Sequence, residues 1–127
     1  MTRFLWICLG GAVGTGARYL MAGWAANAFG PAFPYGTLAV NIIGSFFLAA
    51  IMHLAVATEL ISPTLRLALT MGVIGGFTTY STFSYETFRY LQDGAWGVGA
   101  FNVFVTVVGC LGACLLGLAV AKGIVGG

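Results

Sequence analysis

Three groups of polar residues sit inside otherwise apolar stretches, and their types restrict the chemistry open to the chain. Asn41 follows Thr37 by one helical turn. Thr78, Thr79, Ser81, Thr82 and Ser84 crowd one short run, and Asn102, Thr106 and Cys110 recur at four-residue spacing on one helical face. All of these groups are neutral, and amides and hydroxyls donate hydrogen bonds without carrying charge. Such donors suit a small, desolvated anion, to which the partially positive ring edges of Phe77, Tyr80 and Phe83 would add weak contacts. A full positive charge on the path would hold the anion too firmly, because conduction requires moderate binding at several sites. Each hydroxyl also has a plainer use, bonding the carbonyl one turn back. Asn41 is the stronger candidate, since an amide buried in lipid must find partners.

The hydroxyl run opens on Gly75 and Gly76. Glycine weakens a helix, and a break inside hydrocarbon is tolerated only where its backbone is buried in protein or lines a cavity. Carbonyls released there suit a hard cation such as Na⁺, and two such breaks meeting at a dimer axis would supply four oxygens. A simple glycine kink, its carbonyls satisfied by neighbouring hydroxyls, is the competing reading. Arg18 and Glu86 are the ionisable groups within the apolar stretches. His53, the one histidine, has no carboxylate at a useful spacing, and no serine or threonine has a base partner, so enzymatic chemistry has little support. Cys8, Cys110 and Cys114 form no CxxC motif and have no histidine neighbours, which reads as small packing residues.

The elements that position these groups follow from composition. The 127 residues are 60% hydrophobic and 6% charged, with a mean hydropathy of +1.01. A soluble domain carries about 25% charged residues, so the chain is an integral membrane protein. At roughly 20 residues per crossing, its length predicts an all-α membrane protein of four transmembrane helices and no soluble domain. The spans are placed at residues 4–26, 35–58, 64–91 (broken mid-membrane at 75–79) and 95–121. Arg3 and the apolar run after it are read as part of a retained first span, because the apolar character continues past Arg18. Small residues four apart, Gly10/Gly14, Gly72/Gly76, Gly109/Ala113 and Gly117/Ala121, predict close helix packing within or between subunits. Four helices rarely enclose an aqueous path alone, which favours an oligomer. Arg3, Arg66 and Lys122 fall on one side of the membrane, against Arg18 and Arg89 toward the other. That near-balance permits insertion in both orientations. The small net charge of +2 gives no support to nucleic-acid binding.

Three runs match a known family. Gly75 to Thr87 resembles the third-span signature of the Fluc (CrcB) fluoride channels, Gly36 to Phe46 their second-span motif, and Gly10 to Tyr19 their first. The resemblance covers nearly the whole chain. It implies a dual-topology antiparallel homodimer in a bacterial inner membrane, with two fluoride pores and a central structural Na⁺ held by the backbone carbonyls of Gly75 and Thr78. It places the pore asparagine at Asn41, the pore aromatics at Tyr80 and Phe83, and a polar track at Asn102, Thr106 and Cys110. Ser81, Thr82 and Thr37 are grouped with the pore, and Arg18 and Glu86 are vestibule or structural charges. Two positions depart from the pattern: Tyr80 stands where phenylalanine is common, and Cys110 where a hydroxyl is expected.

The resulting expectation is that residues 1–127 form a single four-helix channel domain that passively exports fluoride. Two rivals are a proton-coupled fluoride transporter, for which Glu86 could titrate, and a small multidrug-type exporter. The exporter needs a membrane carboxylate in the first span, where this chain has Arg18.

Overall fold

The computed structural model describes residues 1–126, all of whose regular structure is helical. Helix α1 (Thr2–Phe29) and helix α2 (Tyr35–Ala57) are joined by a short turn after Gly30. The third span comes in pieces: α3 (Pro63–Leu67), a π-helical stretch (Ala68–Ile74), α4 (Gly75–Phe77) and α5 (Tyr80–Gln92). Helix α6 (Trp96–Val125) is the last element among the described residues. Three of these, α1, α2 and α6, are individually long and apolar enough to cross a membrane. The expected fourth crossing is divided between residues 63–77 and α5, neither of which reaches the ~20 residues a single crossing needs.

Local signals set the ends. Ser62 caps α3 by accepting from the Leu65 N–H at 3.1 Å, with Pro63 at the first helical position, where its missing donor costs nothing. Gly94, at φ 80°, makes the reversal between α5 and α6 in a conformation that residues with a Cβ rarely adopt. The break is narrower than the sequence predicts. Gly75 and Gly76 remain helical, and only Thr78 and Thr79 are extended. Upstream, the π-helical stretch departs from the regular helix the sequence suggests. There the Gly75 N–H bonds the Thr70 carbonyl, and the Thr70 hydroxyl bonds the Arg66 carbonyl at 2.7 Å.

Packing uses small residues inside and large ones outside. The buried apolar side chains are Ala25, Val40, Ile74, Ala113 and Ala121, while Leu111 and Leu115 on α6 are 63% and 70% exposed. Lipid tails are as apolar as leucine, so helix association gains most from close backbone approach. The predicted glycine pairs provide it within this chain. Gly10 and Gly14 of α1 lie against Gly72 and Gly76, so a Cβ on Gly72 would fall 2.8 Å from the Ile7 carbonyl oxygen and one on Gly76 2.6 Å from that of Gly11. On the other side of the bundle, Gly117 of α6 lies against the Phe46 backbone of α2, and Gly109 meets Ile42.

A Cβ at Gly14 would meet the backbone of Val73 and Phe77, whereas one at Gly23, on the same helix, meets nothing within 4 Å. Gly14→Ala should therefore destabilise the protein by roughly 1–3 kcal/mol, the usual cost of overpacking. Gly23→Ala should be neutral or stabilising by up to about 1 kcal/mol. Unfolding midpoints of both variants in detergent, followed by circular dichroism, check the contrast; equal midpoints would refute the packing argument.

Candidate functional site

The break is held open from α2. The Asn41 side chain accepts from the Thr79 N–H at 2.8 Å and donates through Nδ2 to the Thr79 carbonyl at 3.1 Å. One amide thus satisfies both peptide groups of the residue that interrupts the third span. Thr79 also caps α5, its hydroxyl accepting from the Thr82 N–H at 3.2 Å and meeting the Thr82 hydroxyl at 3.0 Å. Arg18 reaches across from α1, and its Nε donates to the Gly76 carbonyl at 2.9 Å. The neighbouring hydroxyls therefore do not satisfy the kink alone, as the simple glycine reading supposes. An amide and a guanidinium from two other helices take the larger part.

These bonds leave a definite residue of carbonyls. In a continuous helix the Gly75 carbonyl would receive the Thr79 N–H, and the Thr78 carbonyl would receive the Thr82 N–H. Here the first donor goes to Asn41 and the second to the Thr79 hydroxyl. The Gly75 and Thr78 oxygens are thereby released from the helical ladder, while those of Gly76 and Thr79 are engaged by side chains. Neutral carbonyls of this kind are ligands for a hard cation.

Beside the break lies a cavity of about 400 Å³. It gathers Asn41, Tyr80, Phe83, Thr106 and Cys110 from three separate stretches of sequence, along with Thr78, Thr79 and Ser45. The walls are otherwise apolar, and the hydroxyls of Thr78, Thr79 and Thr106 donate to the Ile74 carbonyl, the Thr82 hydroxyl and the Asn102 amide oxygen respectively. The rings of Tyr80 and Phe83 stand 5.8 Å apart and tilted by 40°. Asn41 spends one of its two amide protons on the Thr79 carbonyl, which leaves the second for a ligand. Gly44 makes room for the cluster, since a Cβ there would collide with the Thr78 methyl group.

The other candidates are distributed differently. Asn102 is buried outside the cavity wall, donating to the Thr87 hydroxyl at 2.9 Å and accepting from Thr106 at 3.5 Å. The Thr87 hydroxyl in turn donates to the Phe83 carbonyl at 2.8 Å, so this chain of bonds ties α6 to α5. Ser81 is exposed on α5, and Thr82 lies under the Thr79 cap. Thr37 and Glu86 share a second cavity of about 190 Å³, the hydroxyl facing the carboxyl. Glu86 also borders an outer cavity of about 280 Å³ with Arg89 and Asp93, and its Oε1 is buried without a hydrogen-bond partner.

Three contributors escape sequence reasoning as site residues. Thr79 is one hydroxyl among five until its cap geometry is seen. Ser45, one turn beyond Asn41, shares its helical face, and that spacing was a usable signal. Thr87 becomes meaningful only through Asn102.

Known proteins resemble the chain over nearly its whole length. The family described as "CrcB-like protein, Camphor Resistance (CrcB)" matches residues 5–118. A protein of Sorangium cellulosum named fluoride-specific ion channel FluC is 54% identical over 127 residues, covering 100% of both chains. Proteins of the same name from Anaeromyxobacter sp. (strain K) and Citrifermentans bemidjiense are 55% and 49% identical. The first alignment covers 87% of this chain and 88% of the relative, the second 96% and 98%. With its three sequence runs, broken third span and full-length similarity, the chain belongs to the CrcB-like family.

Proposed function

We propose that this protein is a fluoride-selective ion channel, not an enzyme, and that it conducts passively. The observation that carries the reading is the cavity at the break: it offers an amide, hydroxyl and thiol donors and aromatic rings, with no lysine or arginine in its wall. The relatives' shared name supplies the ion. Selectivity over chloride arises from narrowness and from donors that replace the hydration of the smaller, more strongly hydrated ion. Hydrofluoric acid crosses bilayers in neutral form and releases fluoride at cytoplasmic pH. A path for the anion across a bacterial inner membrane therefore works as an exporter.

The functional unit in this reading is an antiparallel homodimer of dual topology, each copy being one four-helix channel domain. Ser81, Ser84 and Tyr80 support it: all three are exposed on the single chain beside the break, and hydroxyls left facing hydrocarbon would have no partner. A structural Na⁺ at the dimer axis would be held by the Gly75 and Thr78 carbonyls, whose release from the helical ladder supports that assignment. Arg18 is then a structural charge, tying α1 to the break. One observation favours proton coupling instead, the unpartnered Glu86 Oε1 between two cavities. The small multidrug-type reading gains no such support.

Fluoride efflux from liposomes, with valinomycin and K⁺ setting the voltage and chloride as control, tests the function. Voltage-driven loss of fluoride alone is expected, unchanged without a proton gradient and retained in Glu86→Gln. Flux that collapses with the gradient would establish coupling. A second expectation concerns Asn41. Asn41→Leu unpairs both peptide groups of Thr79 at about 1–3 kcal/mol for each buried group left unsatisfied. It should lower both flux and the unfolding midpoint. Asn41→Asp keeps an acceptor for the Thr79 N–H and should recover part of the midpoint but not the flux. A fully conducting Asn41→Leu variant would remove Asn41 from the path. Replacing bath Na⁺ with a bulky organic cation should make flux decay over time; steady flux after exhaustive exchange would count against a structural Na⁺.

A further inference from the structure

The two cysteines of α6 lie one helical turn apart. Cys110 lines the cavity at the break, and Cys114 sits one turn further along the same helical face. The Cys114 thiol donates to the Ser45 carbonyl at 3.5 Å, and Ser45 itself lines that cavity. Both thiols are free and partly accessible. Residues four apart on a helix place their Cβ atoms about 5–6 Å from one another. Two metal–sulfur bonds of roughly 2.3 Å each span a gap of that size.

We infer that Cys110 and Cys114 form a two-coordinate site for a soft divalent cation of the Hg²⁺ class, at the wall of the cavity. Softness follows from the ligands, since thiolates select soft ions over hard ones. Charge selects within that class. Hg²⁺ binds as both thiols give up their protons to water, and the product, one dication with two thiolates, is neutral. A monovalent soft ion with the same pair would leave a net negative charge beside apolar walls, where burying charge is costly. Zn²⁺ wants four ligands, and no group of three or more histidine, cysteine or acidic side chains that could hold a metal exists among the described residues. An ion so placed would obstruct the space that Asn41, Phe83 and Thr106 share with Cys110. That consequence rests on the reading of the cavity as the anion path, whereas the binding itself does not.

Cys8, exposed on α1, is removed by Cys8→Ser so that only the pair remains. The purified variant in detergent is titrated with HgCl₂ while thiolate-to-metal absorbance in the ultraviolet is followed. One equivalent should saturate the signal, both thiols should become inert to a maleimide, and the ion should survive a wash with a monothiol. Adding Cys114→Ser should leave an ion that the same wash removes. Saturation at two equivalents, or a complex equally resistant without Cys114, would overturn the paired site. In liposomes, Hg²⁺ should stop fluoride efflux by the Cys8→Ser protein, and a dithiol should restore it. Binding at one equivalent with undiminished efflux would refute the block while leaving the site intact. A protein that never conducts fluoride would count against the proposed function and leave the titration to decide the site.

Discussion

An interrupted helix inside hydrocarbon must find a partner for every peptide group it exposes, because no water is there to supply one. Asn41 meets that demand at the critical residue, pairing both the N–H and the carbonyl of Thr79. Most of the bundle can be read as support for this contact. Gly44, one turn beyond Asn41's neighbour Val40, lets Thr78 approach α2, and Arg18 takes the Gly76 carbonyl from the other side. The Thr79 hydroxyl then starts α5 as a new helix. The interruption is therefore a built feature with three helices invested in it.

The glycines explain how a guanidinium and an amide come so close to one backbone. Residues 63–77 lie against α1 at near-contact distance, because Gly10, Gly14, Gly72 and Gly76 carry no side chain on the facing surfaces. The same economy joins α2 to α6 at Gly117. Hydrophobic side chains are left to face outward, as in Leu111 and Leu115, reversing the arrangement that water would impose. Within that frame the polar groups divide their labour. Asn102, Thr106 and Thr87 join α6 to α5 through bonds between side chains, whereas Asn41 and Cys110 keep donors directed toward the cavity.

Much of this was legible in the chain. A composition of 60% hydrophobic and 6% charged residues leaves no soluble alternative, and the Ser62-Pro63 start and the turn at Gly94 are local signals that the structure honours. The break was legible to within a few residues, and so were the polar positions around it. Its exact site was not, because glycine permits a break without requiring one. Gly75 and Gly76 stay helical, and the chain opens two residues later, where Asn41 offers a better bargain to Thr79 than the helix does. The π-helical stretch was likewise hidden, since Thr70 carries no sequence mark of the carbonyl it takes.

The sequence by itself determined the solvent, the helical content and the inventory of neutral donors, because lipid solvation and helical periodicity act residue by residue. Only the tertiary structure decided how those donors are spent. Whether an amide serves the backbone or a ligand depends on which peptide group lies within 3 Å of it, and that distance is set by helices remote in sequence. The assignment of Asn102 to the frame, of Cys110 to the cavity, and of the Gly75 and Thr78 carbonyls to neither ladder nor side chain follows from that packing.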